Sequence, residues 1–114
     1  MVDLRKAVVI SPDVIEQAAA SAVAWLPRSD NPQFVKGAIA AYAWVLGRLP
    51  YGPVSRADGP ATVEALRRED RLADDAIYGP VGDPPVDQRF AAGVQNALMW
   101  LRGLDDEPPI SIDR

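Results

Sequence analysis

Acidic residues are the side chains of this sequence best placed to do chemistry. Glu69, Asp70, Asp74 and Asp75 lie close together, and on a helix Asp70 and Asp74 would be one turn apart. Carboxylates on facing helices can hold Mg²⁺ and activate water, so a carboxylate-dependent hydrolase of small phosphorylated substrates is an alternative function. Such a site needs acids on at least two inward-facing helices, and Glu16 is the one remote candidate.

The same acidic residues also fit a solvated helix face. Eight residues from Glu64 to Asp75 are charged, and Glu64 with Arg68 and Arg71 with Asp75 form i,i+4 pairs of opposite sign. This pattern is typical of an outer helix whose charges face water. We favour this interpretation and therefore predict no catalytic residue, no metal ligand and no cofactor.

Missing residue types narrow the chemistry further. The sequence contains no cysteine and no histidine. That composition excludes cysteine nucleophiles, thiol redox chemistry, imidazole acid–base catalysis and the usual zinc sites. A phosphate-binding loop is not indicated either, because Gly79 and Gly82 stand among prolines in a turn. Enzyme activity stays open, but a non-enzymatic role is favoured.

Two loops repeat the same four residues and supply the candidate binding surface. Residues 51–54 and 78–81 both read Tyr-Gly-Pro-Val. Binding residues concentrate on loops that a rigid scaffold positions. The alternative interpretation is that glycine and proline end a helix while an aromatic ring packs over its end. The predicted binding residues are Tyr51, Arg56, Asp58 and Tyr78.

An internal repeat predicts the elements that position these residues. Residues 34–55 return as residues 90–111 with seven of 22 positions identical, and the wider echo covers about 25–55 and 78–111. Four shared residues in each copy are spaced 3, 4 and 3, which places them on one stripe of an α-helix. They are Phe34, Gly37, Ala41 and Trp44 in the first copy, and Phe90, Gly93, Ala97 and Trp100 in the second.

The repeated glycines predict a close helix crossing. Glycine inside a helix costs about 1 kcal/mol relative to alanine. Gly37 and Gly93 at matching positions therefore indicate that the second and fourth helices cross there, related by a pseudo-two-fold axis. Trp44 and Trp100 fit either a ligand groove or the core, and their matched positions favour the core.

Capping residues predict where the helices begin. Ser11-Pro12-Asp13 is a typical start of a first helix, and Asn31 is a favourable cap for the second. The third helix follows Asp58-Gly59-Pro60. Pro84 is a poor cap, so Asp83 is expected to start the fourth helix.

Together these patterns predict an all-α fold. It is a four-helix bundle-like single domain over residues 1–114, made of two pseudo-symmetric helical hairpins at roughly 12–48 and 60–103 with short extended termini. A chain of 114 residues that is 48% hydrophobic can bury a core without disulfides or metals.

Charge and hydropathy indicate which partners to expect. A net charge of −4 argues against a nucleic-acid partner held by phosphate contacts. The longest uncharged helical stretch, residues 37–47, is far shorter than the ~20 residues of a membrane span. No targeting segment is recognisable in residues 1–10, so the expected location is the cytoplasm.

A protein–protein interaction is the function that these observations favour. Apolar residues lie outside the helical stripes, which predicts a protein partner or a homodimer burying part of the second or fourth helix. These residues are Val35, Ile39, Ala43, Leu46, Met99 and Leu104. A bias toward Ala, Arg, Asp and Pro, with only two lysines, is typical of proteins encoded by GC-rich DNA. One specific form of the predicted binding role is an accessory or inhibitor protein of a phage or mobile element.

Overall fold

Four α-helices form the frame of the chain in the residues that the structure describes. The computed structural model describes residues 7–79 and 86–111. The helices are α1 (Pro12–Trp25, followed by a 3₁₀ turn at Leu26–Arg28), α2 (Pro32–Val45), α3 (Val63–Tyr78) and α4 (Gln88–Leu101). The predicted all-α architecture is confirmed, whereas residues 1–6 and 112–114 of the predicted extended termini lie outside the described residues. None of the helices within the described ranges combines the length and apolar character that crossing a bilayer requires.

The internal repeat is reproduced in the helix bounds. Helix α4 starts 56 residues after α2 (88 − 32) and ends 56 residues after it (101 − 45). Both helices finish with a left-handed glycine, Gly47 at φ 81° and Gly103 at φ 78°. In each copy the residue after this glycine donates its N–H to a carbonyl five residues earlier, at 2.8 Å. Matching glycine caps therefore stop both helices.

The crossing of α2 and α4 is the centre of the fold. A Cβ atom added to Gly37 would overlap the carbonyl oxygen of Phe90, and one added to Gly93 would overlap the carbonyl oxygen of Phe34. The two contacts are reciprocal, because Gly93 and Phe90 are the residues 56 positions after Gly37 and Phe34. The predicted crossing at the glycines is confirmed, and its reciprocity is that of a pseudo-two-fold axis.

Large aromatic side chains fill the core beside this crossing. Tyr42 and Trp44 are fully buried, and Trp100 is 5% exposed. The Tyr42 and Trp100 rings meet edge to face, with centroids 6.0 Å apart and an interplanar angle of 81°. Both repeated tryptophans therefore belong to the core. Val35, predicted to face outward, is also buried, because it shares the inner face of α2 with Tyr42.

Helix starts follow the capping rules with one exception. The Ser11 side chain accepts a hydrogen bond from the Val14 N–H, and Thr62 caps α3 in the same way at 3.1 Å from the Ala65 N–H. Asn31 occupies the N-cap position of α2, but its side chain makes no capping bond.

The fourth helix begins later than the sequence predicts. Asp87 is its N-cap, and its carboxylate accepts from the Arg89 N–H at 2.8 Å. Asp83 and Pro84, where the start was expected, lie outside the described residues. The capping position is 56 residues after Asn31, so the helix keeps the register of the repeat and the connection before it is longer in the second copy.

Candidate functional site

The loop of residues 46–62, which joins α2 to α3, carries three of the four predicted binding residues. The Trp44 indole donates its Nε1–H to the Gly59 carbonyl at 3.2 Å. The Gly59 N–H in turn donates to the Pro50 carbonyl at 2.9 Å, and Tyr51 and Asp58 form an isolated antiparallel β-bridge. These bonds close the loop on itself and tie it to the core.

Glu69 on α3 holds the middle of the 46–62 loop. Its side chain is fully buried, and its Oε1 atom accepts hydrogen bonds from the N–H groups of Val54 and Ser55, both at 2.8 Å. The second carboxylate oxygen pairs with Arg68 Nε at 2.8 Å. A Cβ atom on Gly52 would stand 2.5 Å from the carboxylate carbon, so the glycine leaves room for it. The prediction that Glu69 faces water is therefore wrong.

Hydrogen bonding decides the charge state of Glu69. Burial raises the pKa of its carboxyl, but hydrogen bonds from Ser55, Arg68 and Val54 more than offset this, so the pKa lies below the ordinary value. The charged carboxylate is therefore the form that anchors the loop. A sequence signal was present, because Glu69 lies on the same helical stripe as Leu66 and Ala73, which are both buried.

The other acids of the predicted cluster do not converge. Three of them have separate partners: Glu16 pairs with Arg48, Asp70 with Arg102 at 3.5 Å, and Asp74 with Gln95 at 3.2 Å. The i,i+4 pattern predicts that Arg68 pairs with Glu64. In the structure Arg68 pairs with Glu69 instead. Within residues 7–79 and 86–111, no group of three or more Asp and Glu side chains is arranged to hold a metal ion.

Arg56 occupies an unfavourable backbone conformation at the tip of the loop. Its φ of 62° lies in the left-handed region, where a residue with a Cβ atom is uncommon. Its guanidinium carbon is 5.4 Å from the centroid of the Tyr51 ring and 6.0 Å from that of Phe90. Both distances are within cation–π range. Residues held in such conformations cluster at binding and switch sites, which makes Arg56 a candidate functional residue.

A groove runs from this arginine along the outer face of α2, and we call it the α2 groove. Its volume is about 450 Å³. It is lined by Val23, Leu26, Lys36, Ile39, Ala40, Ala43, Leu49, Tyr51, Pro53, Arg56 and Phe90. Ile39, Ala40 and Ala43 supply the apolar part contributed by α2, and Val23 beside them is 56% exposed. Lys36 and Arg56 are the charged residues of the lining.

The second copy of the repeat differs from the first on this face. The α4 residues 56 positions after Ile39 and Ala40 are Gln95 and Asn96. Gln95 donates to the Asp74 carboxylate, and the Asn96 side chain donates to the Ala92 carbonyl at 2.7 Å. Polar residues therefore occupy the equivalent positions of α4, where they have polar partners, whereas Ile39 of α2 is partly buried and packs against the core while lining the groove.

The predicted binding residues are only partly brought together. Tyr51 and Arg56 line the α2 groove, and Asp58 pairs with Tyr51 through the backbone without lining it. Tyr78, which is 76% exposed, ends α3 nine residues beyond Glu69, or about 14 Å further along the helix axis. Lys36 and Phe90 were missed, because only the folded chain brings them to the loop.

The repeated Tyr-Gly-Pro-Val segments have different structural roles. Gly79 closes α3, and its N–H donates to the Asp75 carbonyl at 2.8 Å, as the helix-stop interpretation predicts. Gly52 is instead buried against the Glu69 carboxylate, seven positions after the end of α2 (52 − 45). Pro80 and Val81 lie outside the described residues.

A second groove lies on the other side of the pseudo-two-fold axis. It has a volume of about 650 Å³ and is lined by Trp25, Arg28, Phe34 and Pro109 among others. Phe34 and Pro109 are the repeat equivalents of Phe90 and Pro53, which line the α2 groove. Each phenylalanine therefore shares a groove with the segment that follows the helix of the opposite copy.

Comparisons with known proteins give no family for this chain. No protein-family model matches it, and neither a curated protein nor a solved structure shows significant similarity to it.

Proposed function

We propose that this protein acts by binding another protein in the α2 groove. The observation that carries the proposal is the contrast between the two copies of the repeat: Ile39 and Ala40 are apolar where Gln95 and Asn96 are polar. A partly exposed apolar surface bordered by charged side chains is typical of a site of protein contact.

Hydrogen bonds to buried side chains hold the loop that forms one wall of the groove. Glu69 fixes the backbone of Val54 and Ser55, and the Trp44 indole fixes the far end of the same loop at Gly59. A surface that is already ordered loses little conformational entropy on binding. The loop therefore favours recognition by a preformed surface rather than by folding on contact.

The proposed role is non-enzymatic. An accessory or inhibitor protein, encoded by a phage or mobile element and acting in the cytoplasm, is one form of it, suggested by the composition of the chain. A second copy of the chain is the competing occupant, because a homodimer would also cover the outer face of α2. Light scattering at high micromolar concentration distinguishes the two: the mass of the monomer would remove the predicted homodimer and leave the groove to a foreign protein.

The proposal is tested with a variant that copies the second repeat into the first. Ile39→Gln with Ala40→Asn places on α2 the residues that α4 carries at the equivalent positions. Because Ile39 also packs against the core, binding is compared at a temperature at which the variant is folded. Leu104→Gln is the matched control, because it removes an apolar side chain that is 63% exposed and does not line the groove. Tagged wild type, variant and control are used as baits in extracts of the native host, with quantitative mass spectrometry.

We expect one or a few proteins to be retained by the wild type and by Leu104→Gln, and to be lost with the double variant. Thermal unfolding monitored by circular dichroism checks that all three chains are folded. Retention of the same proteins by a folded double variant would show that the α2 groove is not the binding surface.

A further inference from the structure

We propose that the α2 groove receives an acidic amphipathic helix of the partner, with an apolar stripe on the groove and carboxylates on its flanks. This inference rests on the proposed function and adds the chemistry of the ligand. Three features of the groove carry it: the spacing of its α2 residues, the sign of its charges and the orientation of Arg56.

The α2 residues of the groove have the spacing of a helix-packing face. Lys36, Ile39, Ala40 and Ala43 stand at i, i+3, i+4 and i+7, which forms a single face two turns long. Small residues such as Ala40 and Ala43 let another helix approach closely, and side chains of one helix pack between those of its neighbour. A volume of about 450 Å³ accepts side chains rather than a whole helix. This is the geometry in which an amphipathic helix lays its apolar face on a groove.

The charges of the groove have the opposite sign to those of the protein. The chain carries 16 acidic residues against 12 basic ones, yet the groove lining contains Lys36 and Arg56 and no acidic residue. Asp58, the one acid of the 46–62 loop, is not part of the lining. The ion pairs in the described part of the chain join Arg48, Arg68 and Arg102 to their acids, so both groove cations are left without a carboxylate. Complementary charges fix the register of an interface and exclude partners of the wrong sign.

Arg56 is held in a position to receive a carboxylate. The Arg56 guanidinium lies over the Tyr51 and Phe90 rings and makes cation–π contacts with both. These contacts limit the rotamers of the long arginine side chain. The single polar contact of its head group is a long one, 3.5 Å from Nη1 to the Tyr51 hydroxyl. Most of its N–H donors stay available, and arginine binds carboxylates through two parallel donors.

The test uses two fluorescein-labelled model helices and the 114-residue protein. Both peptides carry leucine and alanine on one face, and the flanking positions are glutamate in one peptide and lysine in the other. Fluorescence anisotropy titrations measure the dissociation constant of each. Two exposed ion pairs lead us to expect about tenfold tighter binding of the glutamate peptide.

Charge reversal at the groove should invert this preference. The Lys36→Glu/Arg56→Glu protein is expected to bind the lysine peptide more tightly than the glutamate peptide. Because Arg56 also packs on the loop, Lys36→Glu alone is measured as a second variant, and it should weaken the glutamate peptide several-fold. Arg67→Glu, which reverses an exposed arginine of α3 outside the groove, is the control and should leave the preference unchanged.

The outcomes separate this inference from the proposed function. Equal affinity for both peptides, abolished by Ile39→Gln/Ala40→Asn, would overturn the acidic ligand and leave the protein-binding groove in place. A preference for the lysine peptide would also overturn the acidic ligand and leave the protein-binding groove in place. Absence of binding of either peptide at millimolar concentration would overturn the helix proposal, and the bait experiment then decides the proposed function.

Discussion

Gly37 and Gly93 are the points at which the backbones of α2 and α4 touch. A Cβ atom at either position would come within about 3.0 Å of a backbone nitrogen of the facing helix, Val94 N for Gly37 and Ala38 N for Gly93. The carbonyl oxygens of Phe90 and Phe34 are nearer still. This close approach brings the two copies of the repeat together around one pseudo-two-fold axis. The two grooves lie on opposite sides of that axis, and each contains one of the two phenylalanines.

Alanine at either glycine should destabilise the protein by about 1–3 kcal/mol, because the helix backbones must move apart. In a helix without this contact, the same change would stabilise by about 1 kcal/mol. The sign of the effect is therefore diagnostic. Urea unfolding of Gly37→Ala and Gly93→Ala measures it, and an increase in unfolding free energy for either variant would argue against the close crossing.

Much of the fold could be predicted from the sequence, because the determinants are local or repeated. Ser11 marks the start of α1, and the shared stripe containing Gly37 and Gly93 marks the crossing. The start of α4 could not be predicted from loop similarity, since the connection before it is longer than the one before α2. Only the 56-residue register places Asp87 at the cap.

The Glu69 carboxylate should make stability depend on pH. Its pKa is lowered in the folded state, so its contribution is complete above the unfolded value of about 4.3 and is lost as the pH falls through that value toward the folded pKa. Glu69→Gln should cost about 1–3 kcal/mol at pH 7 and progressively less below pH 4.

Glu64→Gln on the exposed side of the same helix is the control and should change stability by less than about 0.5 kcal/mol. Urea unfolding across the acid range provides the measurement. A Glu69→Gln penalty that stays constant with pH would mean that the charged carboxylate is not the anchor.

The candidate site could be predicted only in part. Tyr51 and Arg56 followed from loop chemistry, but the role of Glu69 was obscured by the charged residues around it on α3. Lys36 and Phe90 belong to helices far apart in sequence, and their place beside Arg56 depends on how α2 and α4 cross. No local pattern carries that information.

Backbone strain at Arg56 can be separated from its side-chain contacts. Arg56→Ala and Arg56→Gly both remove the guanidinium from the Tyr51 and Phe90 rings, but only glycine adopts a φ of 62° without steric cost. We expect Arg56→Gly to be more stable than Arg56→Ala by about 1 kcal/mol. Thermal unfolding of the two variants side by side checks this, and equal stability would mean that the left-handed conformation carries no strain.

Divalent metals should leave stability unchanged. Asp70 and Asp74 are engaged separately by Arg102 and Gln95, so neither is set up to share an ion with the other. A ligand that binds only the folded state raises the melting temperature as its concentration grows. Melting curves with millimolar Mg²⁺ or Mn²⁺ should therefore match those in chelator. A rise that disappears in Asp70→Asn/Asp74→Asn would instead favour the hydrolase alternative.

The most direct test of a protein partner in the α2 groove is site-specific photo-crosslinking in the native host. Benzoylphenylalanine replaces Lys36 inside the groove, and in a matched chain it replaces Gln17, which is exposed on α1 and does not line the groove. We expect an adduct with a distinct protein from position 36 that is absent from position 17 and lost with Ile39→Gln/Ala40→Asn. Equal adducts at both positions, no adduct at either, or an adduct with only a second copy of the chain would contradict it.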